Sequence, residues 1–163
     1  MFKKNLLLHL QDNAKKQIEM ALEKIINYKM IKSEDLNHHG TLFAGRSAEW
    51  FVESAFIAAA SKLNPKYIVC LKVHGLEFTH PMHLGHILGF ESRIVHTGRT
   101  SLTVYSKVHE VKSLENKCLD GFITFCYVDE NSKSTPHNIS VDPETEEEKF
   151  LNAKAAELLK RRN

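Results

Sequence analysis

The sequence predicts an α+β fold in which one antiparallel sheet wraps round a long apolar helix. Three observations predict it. Residues 43–63 form a largely apolar run with few polar side chains beyond Arg46, Glu49, Glu53 and Ser54. A helix that is apolar on nearly every side is expected to be buried on nearly every side. Four strand-like segments follow, and connections of three to seven residues between them imply antiparallel neighbours. The 163 residues can bury one substantial core. A single sheet curled round the helix uses that core without a second layer.

The elements follow in order. Leu7, Leu10, Ala14, Ile18, Ala21, Leu22 and Ile25 recur at spacings of three to four, which predicts a helix over 4–26. This N-terminal extension (1–26) precedes a single domain (27–163). A short strand is expected near Tyr28 to Ile31, then a polar loop, "KSEDLNHHG". After the long helix, "YIVCLKVHGLEF" reads as a strand and "THPMHLG" as a turn with Pro and Gly. "HILGFESRIV" is the next strand, closed by "HTGRT". In "SLTVYSKVHEV", Leu102, Val104 and Val108 share one face, and Thr103, Tyr105, Lys107 and His109 the other. "SLENK" is expected to turn the chain into "CLDGFITFCYVD". "ETEEEKFLNAKAAELLKRRN" closes the chain as a helix, with acids early and bases late, as the helix dipole favours.

Composition narrows the function. Apolar residues make up 42% and charged residues 26%, the profile of a globular protein. A net charge of +2 is too mild to imply a nucleic-acid partner. The three cysteines match no zinc spacing, sit in apolar segments, and suggest buried thiols in a reducing compartment. The apolar run near the N-terminus is too short for a signal-peptide core. No stretch reaches the ~18 apolar residues of a membrane span. A cytoplasmic protein with no membrane span, no metal and no cofactor is expected.

The segment "NHHGTLFAG", the helix "AEWFVESAFIAAA" and the later "VHGLEFTHPMHLGHILGFESRIVHTGRTSLTV" together resemble the hotdog-fold acyl-CoA thioesterases. The likeness covers roughly residues 28–160 and is nearest to the acyl-CoA hydrolase branch. Its features are the Asn37–Gly45 loop, the Phe78–Gly85 turn, the Gly98–Ser101 turn and the C-terminal helix. The resemblance implies an acyl-CoA substrate whose coenzyme A is its only cofactor-like part. It also implies a homodimer or trimer of dimers, with sheets edge to edge and sites between subunits. It gives Asn37 the task of orienting water or the thioester.

The resemblance also has gaps. The general base or nucleophile of many relatives is an Asp seven residues after the second loop glycine, and Val52 stands there. A bacterial sub-branch has an acid at the position of Thr41. The nearest acids are Glu49 and Glu53. Thr41, Glu49 and Trp50 also match the Thr and Glu-Trp spacing of the fluoroacetyl-CoA thioesterases, whose third member is a His near His74.

The candidate chemistry is then as follows. The free N–H groups at the start of the long helix, around Gly45 and Arg46, would hold the developing oxyanion. Glu49 or Glu53, in apolar surroundings, would act as the base. They lie one turn apart on one stripe, and Glu49 is favoured as the nearer to the helix start. His74, Arg93, Arg99 and Ser101 are the candidates for substrate binding. His38 and His39 read as exposed loop residues, and His80, His83 and His86 as surface or interface residues. Two other functions compete. One is a non-catalytic acyl-CoA-binding protein, suggested by Val52 and Thr41. The other is an acyl-thioester hydratase or dehydratase, disfavoured because the loop has no proline.

Overall fold

The computed structural model describes residues 23–160, the side chains of 114 and 115 excepted. The N-terminal helix expected over 4–26 therefore lies almost wholly outside the described residues. Its last positions do not continue a helix: Ile25 opens strand β1, Ile25–Met30. Helix α1 spans Ala44–Ala60. Strands β2, Ile68–Phe78, β3, Ile87–Thr97, β4, Ser101–Glu110, and β5, Ser113–Tyr127, follow. Helix α2, Glu146–Lys160, comes last.

The sheet order is β1-β3-β4-β5-β2, with every neighbouring pair antiparallel. The hairpin expected at "HTGRT" joins β3 to β4, where Gly98 N–H donates to the Ser101 carbonyl at 2.7 Å. The turn expected at "SLENK" is not one. Glu110 pairs with Ser113, so the chain reverses at Val111 and Lys112, and residues 113–117 belong to β5. Their polar composition resembles a turn, but ladder hydrogen bonds to β4 decide their conformation. Bulges on either side of His109 absorb the register shifts.

The core lies between α1 and the inner face of the sheet. Phe51, Ala55, Ala58 and Ala59 point inward from the helix and meet Leu88, Phe90, Val104, Val108, Ile123 and Phe125. The three alanines let the helix backbone approach the strands closely. Gly121 on β5 is required by a similar approach: a Cβ there would lie 2.4 Å from the Gly75 carbonyl oxygen and 3.3 Å from the Phe51 ring. A hydroxyl chain crosses this otherwise apolar layer. Ser54 Oγ lies 2.9 Å from Ser92 Oγ, which lies 2.6 Å from Ser106 Oγ, and Asn27 Nδ2 donates to Ser54 at 3.1 Å.

Two expectations about layering fail. First, α1 is not covered on nearly all sides: Gly45, Glu49, Glu53 and Ile57, spaced four apart, form an exposed line along it. A single sheet reaches only one side of a helix. Second, the outer face of the sheet does carry another layer. Leu151 and Ala155 of α2 pack on Val95 and Phe122, with Tyr105 and Leu158 beside them. Asn152 Nδ2 donates to the Val95 carbonyl at 2.8 Å.

Cysteine placement is also mixed. Cys118 and Cys126 are buried, but Cys70 is exposed on β2, because β2 is an edge strand. No helix among the described residues is long and apolar enough to cross a membrane.

Candidate active site

The loop before α1 is held by one side chain, Asn37. Its Oδ1 accepts from His39 N–H at 2.9 Å and from Thr41 N–H at 3.2 Å. Its Nδ2 donates to Thr41 Oγ1 at 3.0 Å. An amide nitrogen carries two hydrogens, so one N–H of Asn37 has no acceptor among the described residues. Gly40 makes the reversal possible: its φ is +75°, and its N–H donates to the Asn37 carbonyl at 3.0 Å. His38 and His39 are exposed at the tip.

This loop is stitched to the turn between β2 and β3. Leu42 N–H donates to the Met82 carbonyl at 2.8 Å, and Thr41 bridges to His83. Between the two segments runs a groove of about 260 Å³, lined among others by Asn37, Thr41, Ala44, Phe78, His80 and Met82. No carboxylate side chain is among the described residues lining it.

The start of α1 opens on the same groove through Ala44. Phe43 occupies the N-cap and offers no side-chain acceptor, and the first turn contains no acid. Ser47 N–H donates to the Phe43 carbonyl at 3.1 Å. The N–H groups of Ala44, Gly45 and Arg46 have no acceptor among the described residues, as helix geometry requires of an uncapped first turn. Gly45 has its own steric reason, since a Cβ there would stand 2.4 Å from the Phe43 ring.

Arg46 ties the loop to the helix. Its Nε lies 3.1 Å from Asp35 Oδ1, and its guanidinium also meets Glu49 Oε2 at 2.8 Å. Asp35 is buried, and its other oxygen accepts from Lys32 N–H at 2.9 Å. The Glu49 side chain is 63% exposed. Glu53 is half exposed, pairs with Lys29 at 2.9 Å, and lines a separate cleft of about 130 Å³ beside Trp50 and Tyr28. Neither glutamate lines the groove that holds Asn37. The sheltered apolar setting expected of them is not what a single chain provides.

The expected substrate-binding residues lie elsewhere. His74 hydrogen-bonds Thr124 Oγ1 at 2.8 Å and lines a cleft of about 210 Å³ beside Lys154 of α2. Arg93 is 3% exposed beneath α2, 2.9 Å from Glu147 and 3.9 Å from Glu148. That burial leaves it no open face for a phosphate, so Arg93 acts as a structural cation. Its spacing at a strand end resembled that of a ligand-binding arginine, because its acidic partners are more than fifty residues away in the chain. Arg99 is exposed in the β3–β4 turn. The Ser101 carbonyl accepts from Gly98 N–H at 2.7 Å and meets His137 Nε2 at 3.0 Å. The structure therefore brings Asn37, Thr41 and the α1 N-terminus together, and leaves Glu49, Glu53, His74, Arg93, Arg99 and Ser101 outside that groove. The groove residues that sequence reasoning did not select include Phe78, His80 and Met82. All three lie in the Phe78–Gly85 turn, whose motif was visible although its facing partner was not.

Comparisons with known proteins agree with this fold. A family model described as Thioesterase superfamily matches residues 39–115. An uncharacterized acyl-CoA thioester hydrolase of Bacillus subtilis (strain 168), YkhA, is 28% identical over 137 residues, covering 82% of this chain and 78% of that protein. The crystal structure of an apo-hexameric acyl-CoA thioesterase superposes with a TM-score of 0.78 at 31% identity, over 89% of this chain and 92% of the other. The acyl-CoA hydrolase of Bacillus cereus gives the same TM-score of 0.78 at 27% identity, over 89% and 88% of the two chains. A 31% identity over nine-tenths of a hexameric thioesterase, with the same sheet round the same helix, decides the matter: this chain belongs to the hotdog-fold acyl-CoA thioesterases, a family of thioester hydrolases.

Proposed function

We propose that this protein hydrolyses acyl-CoA thioesters to the free acid and coenzyme A in the groove between the Asn37 loop and the β2–β3 turn. The observation that carries this reading is the uncapped start of α1, which opens on the same groove as the spare N–H of Asn37. A thioester carbonyl lying there would meet backbone donors already oriented by the helix. As water attacks, charge moves onto the carbonyl oxygen, and the N–H groups of Ala44, Gly45 and Arg46 stabilise it without rearranging. Asn37 holds the carbonyl or the water, and Thr41 fixes the Asn37 rotamer. The reaction uses water and the substrate's own coenzyme A, and calls for no other cofactor.

The assembly enters the reading through the sheet edge. Among the described residues β2 is unpaired on one side, and it exposes Val69, Leu71 and Val73. An open apolar edge is a site for pairing with another strand, which supports a homodimer formed edge to edge. The hexameric relative supports a trimer of such dimers. Glu49 and Glu53, on the exposed line of α1, could then serve as base only in the groove of a second copy. Of the two candidate arginines, Arg99 is the exposed one and is available to the coenzyme A phosphates.

Two observations favour a second reading, a protein that binds acyl-CoA without turnover: no carboxylate lines the groove among the described residues, and Val52 occupies the position where relatives carry their acid. Thiol release from acetyl-, butyryl- and palmitoyl-CoA separates the two. Hydrolysis of at least one ester is expected, with Asn37→Ala reducing kcat by about 100-fold, as loss of an oxyanion-hole donor does. Binding of these esters with no thiol released would install the second reading instead.

A further inference from the structure

We propose that His80 is the general base of this groove, an assignment that rests on the hydrolase reading and supplies the proton acceptor which Val52 removes. The argument concerns where the hydrogens sit. Thr79 Oγ1 donates its single hydrogen to the Lys117 carbonyl at 2.5 Å. His80 Nδ1 lies 3.1 Å from that same carbonyl and 3.2 Å from Thr79 Oγ1. A carbonyl only accepts, and the threonine hydrogen is already committed. Both contacts of Nδ1 are therefore with acceptors, and Nδ1 must carry the hydrogen of the neutral ring. Nε2 is left with a bare lone pair, and no partner for it stands among the described residues.

The backbone thus does for His80 what an orienting group does for a catalytic histidine: it fixes tautomer and ring plane, and leaves the far nitrogen basic. The ring is exposed and lines the groove together with Asn37, Thr41 and Ala44. Acceptor, amide donor and helix N-terminus therefore border one space. Pro81 follows at once, and β5 supplies the Lys117 carbonyl, so the ring is held between two elements rather than on a free loop. The Lys117 ammonium is turned to Asp120 at 3.1 Å.

The step balances without another reactant. The oxygen of a groove water forms a bond to the thioester carbonyl carbon while one water hydrogen passes to Nε2. The carbonyl π pair moves onto oxygen, facing the α1 N–H groups. Collapse re-forms the carbonyl and breaks the carbon–sulfur bond, and Nε2 returns its proton to the departing sulfur. The products are the carboxylic acid and coenzyme A thiol, with His80 neutral again.

The test uses the full-length protein and thiol release from acetyl-, butyryl- and palmitoyl-CoA, on wild type, His80→Gln, His80→Ala and Glu49→Gln. General base catalysis is worth roughly 10²–10⁴-fold. His80→Gln should therefore lower kcat by at least 100-fold, with KM changed by less than threefold and the melting temperature kept. Imidazole added to His80→Ala should restore a measurable part of kcat in proportion to its concentration, which no loss of packing would allow. Glu49→Gln should lose less than His80→Gln. A His80→Gln protein within threefold of wild type overturns the proposal, and so does a folded His80→Ala whose loss imidazole leaves untouched. If wild type itself releases no thiol from any of the three esters, the hydrolase reading falls, and this assignment falls with it.

Discussion

The two helices begin in opposite ways. The start of α2 is capped by side chains. Glu148 accepts from the N–H groups of Thr145, at 2.9 Å, and Glu144, at 3.0 Å, while Thr145 Oγ1 accepts from Glu148 N–H at 3.2 Å. That is a reciprocal cap. Three glutamates crowd the turn, and Arg93 approaches from the sheet beneath. The first turn of α1 has no side-chain cap and no acid, although it belongs to the helix that organises the core. The terminus that only has to be stable carries a side-chain cap and acids in its first turn. The one beside the groove leaves its donors open and forgoes that stabilisation. The difference is what separates a structural helix end from one available to a developing negative charge.

The sharpest way to break this contrast is to cap α1. Ala44→Asp puts a carboxylate in its first turn, where the dipole favours it by about 0.5 kcal/mol. Thermal stability should rise slightly while kcat falls about 100-fold, equivalent to roughly 2.7 kcal/mol of transition-state stabilisation. Differential scanning fluorimetry and thiol release on one preparation test both. A variant that is stabilised and fully active would show that the open terminus has no part in the reaction.

A smaller effect is expected from removing the cation under α2. Arg93→Met leaves Glu148, only 15% exposed, without its counter-charge, whereas Glu147 keeps its water. Arg93 Nη2 stands near Glu147 without hydrogen-bond alignment, so the contact is chiefly one of charge. We expect a loss of about 2 kcal/mol in urea unfolding, below the full cost of breaking a buried pair, with kcat per folded molecule unchanged. A fall in coenzyme A affinity instead would return Arg93 to the substrate-binding residues.

The smallest effect is in the pH dependence of stability. Glu148 is held below its ordinary carboxyl range, first by the Thr145 N–H against the opposing effect of burial, then by Glu144, the Thr145 side chain and Arg93. A depressed folded-state pKa contributes stability that is complete above the unfolded value, near 4.5, and is lost as pH falls through the lower folded value. Glu148→Gln should therefore melt earlier at neutral pH, by about 1 kcal/mol, and its disadvantage should shrink below pH 4.5. A disadvantage of constant size from pH 7 to pH 3 would rule out this linkage.

How much of this was legible in the sequence depended on range. The start of α1 and the alternation of Leu102, Val104 and Val108 follow from local periodicity, and the structure keeps them, although the helix ends at Ala60 rather than near Leu63. The Asn37–Gly45 loop was readable because its bonds close within five residues. The start of β5 was misread, because ladder bonds to β4 override the turn-like composition of residues 113–117. Exposure of Glu49 and Glu53 depends on where the sheet stops, which no helical period encodes. Arg93 looked like a ligand contact until α2 covered it. His80 is at the surface as expected, but its contact with a carbonyl 37 residues away could not be read from the sequence.

The serine chain under α1 constrains how this protein can change. Ser106 has only Ser92 as a side-chain partner among the described residues, so Ser92→Ala strands a buried hydroxyl. A stranded group of that kind costs about 1–3 kcal/mol, while apolar replacement of both partners can be nearly neutral. Positions 92 and 106 are therefore epistatic and their order matters: loss of Ser106 first leaves Ser92 bonded to Ser54 at 2.9 Å, so a lineage drifting toward an all-apolar layer has an open path from the Ser106 end and meets a fitness valley when Ser92 goes first.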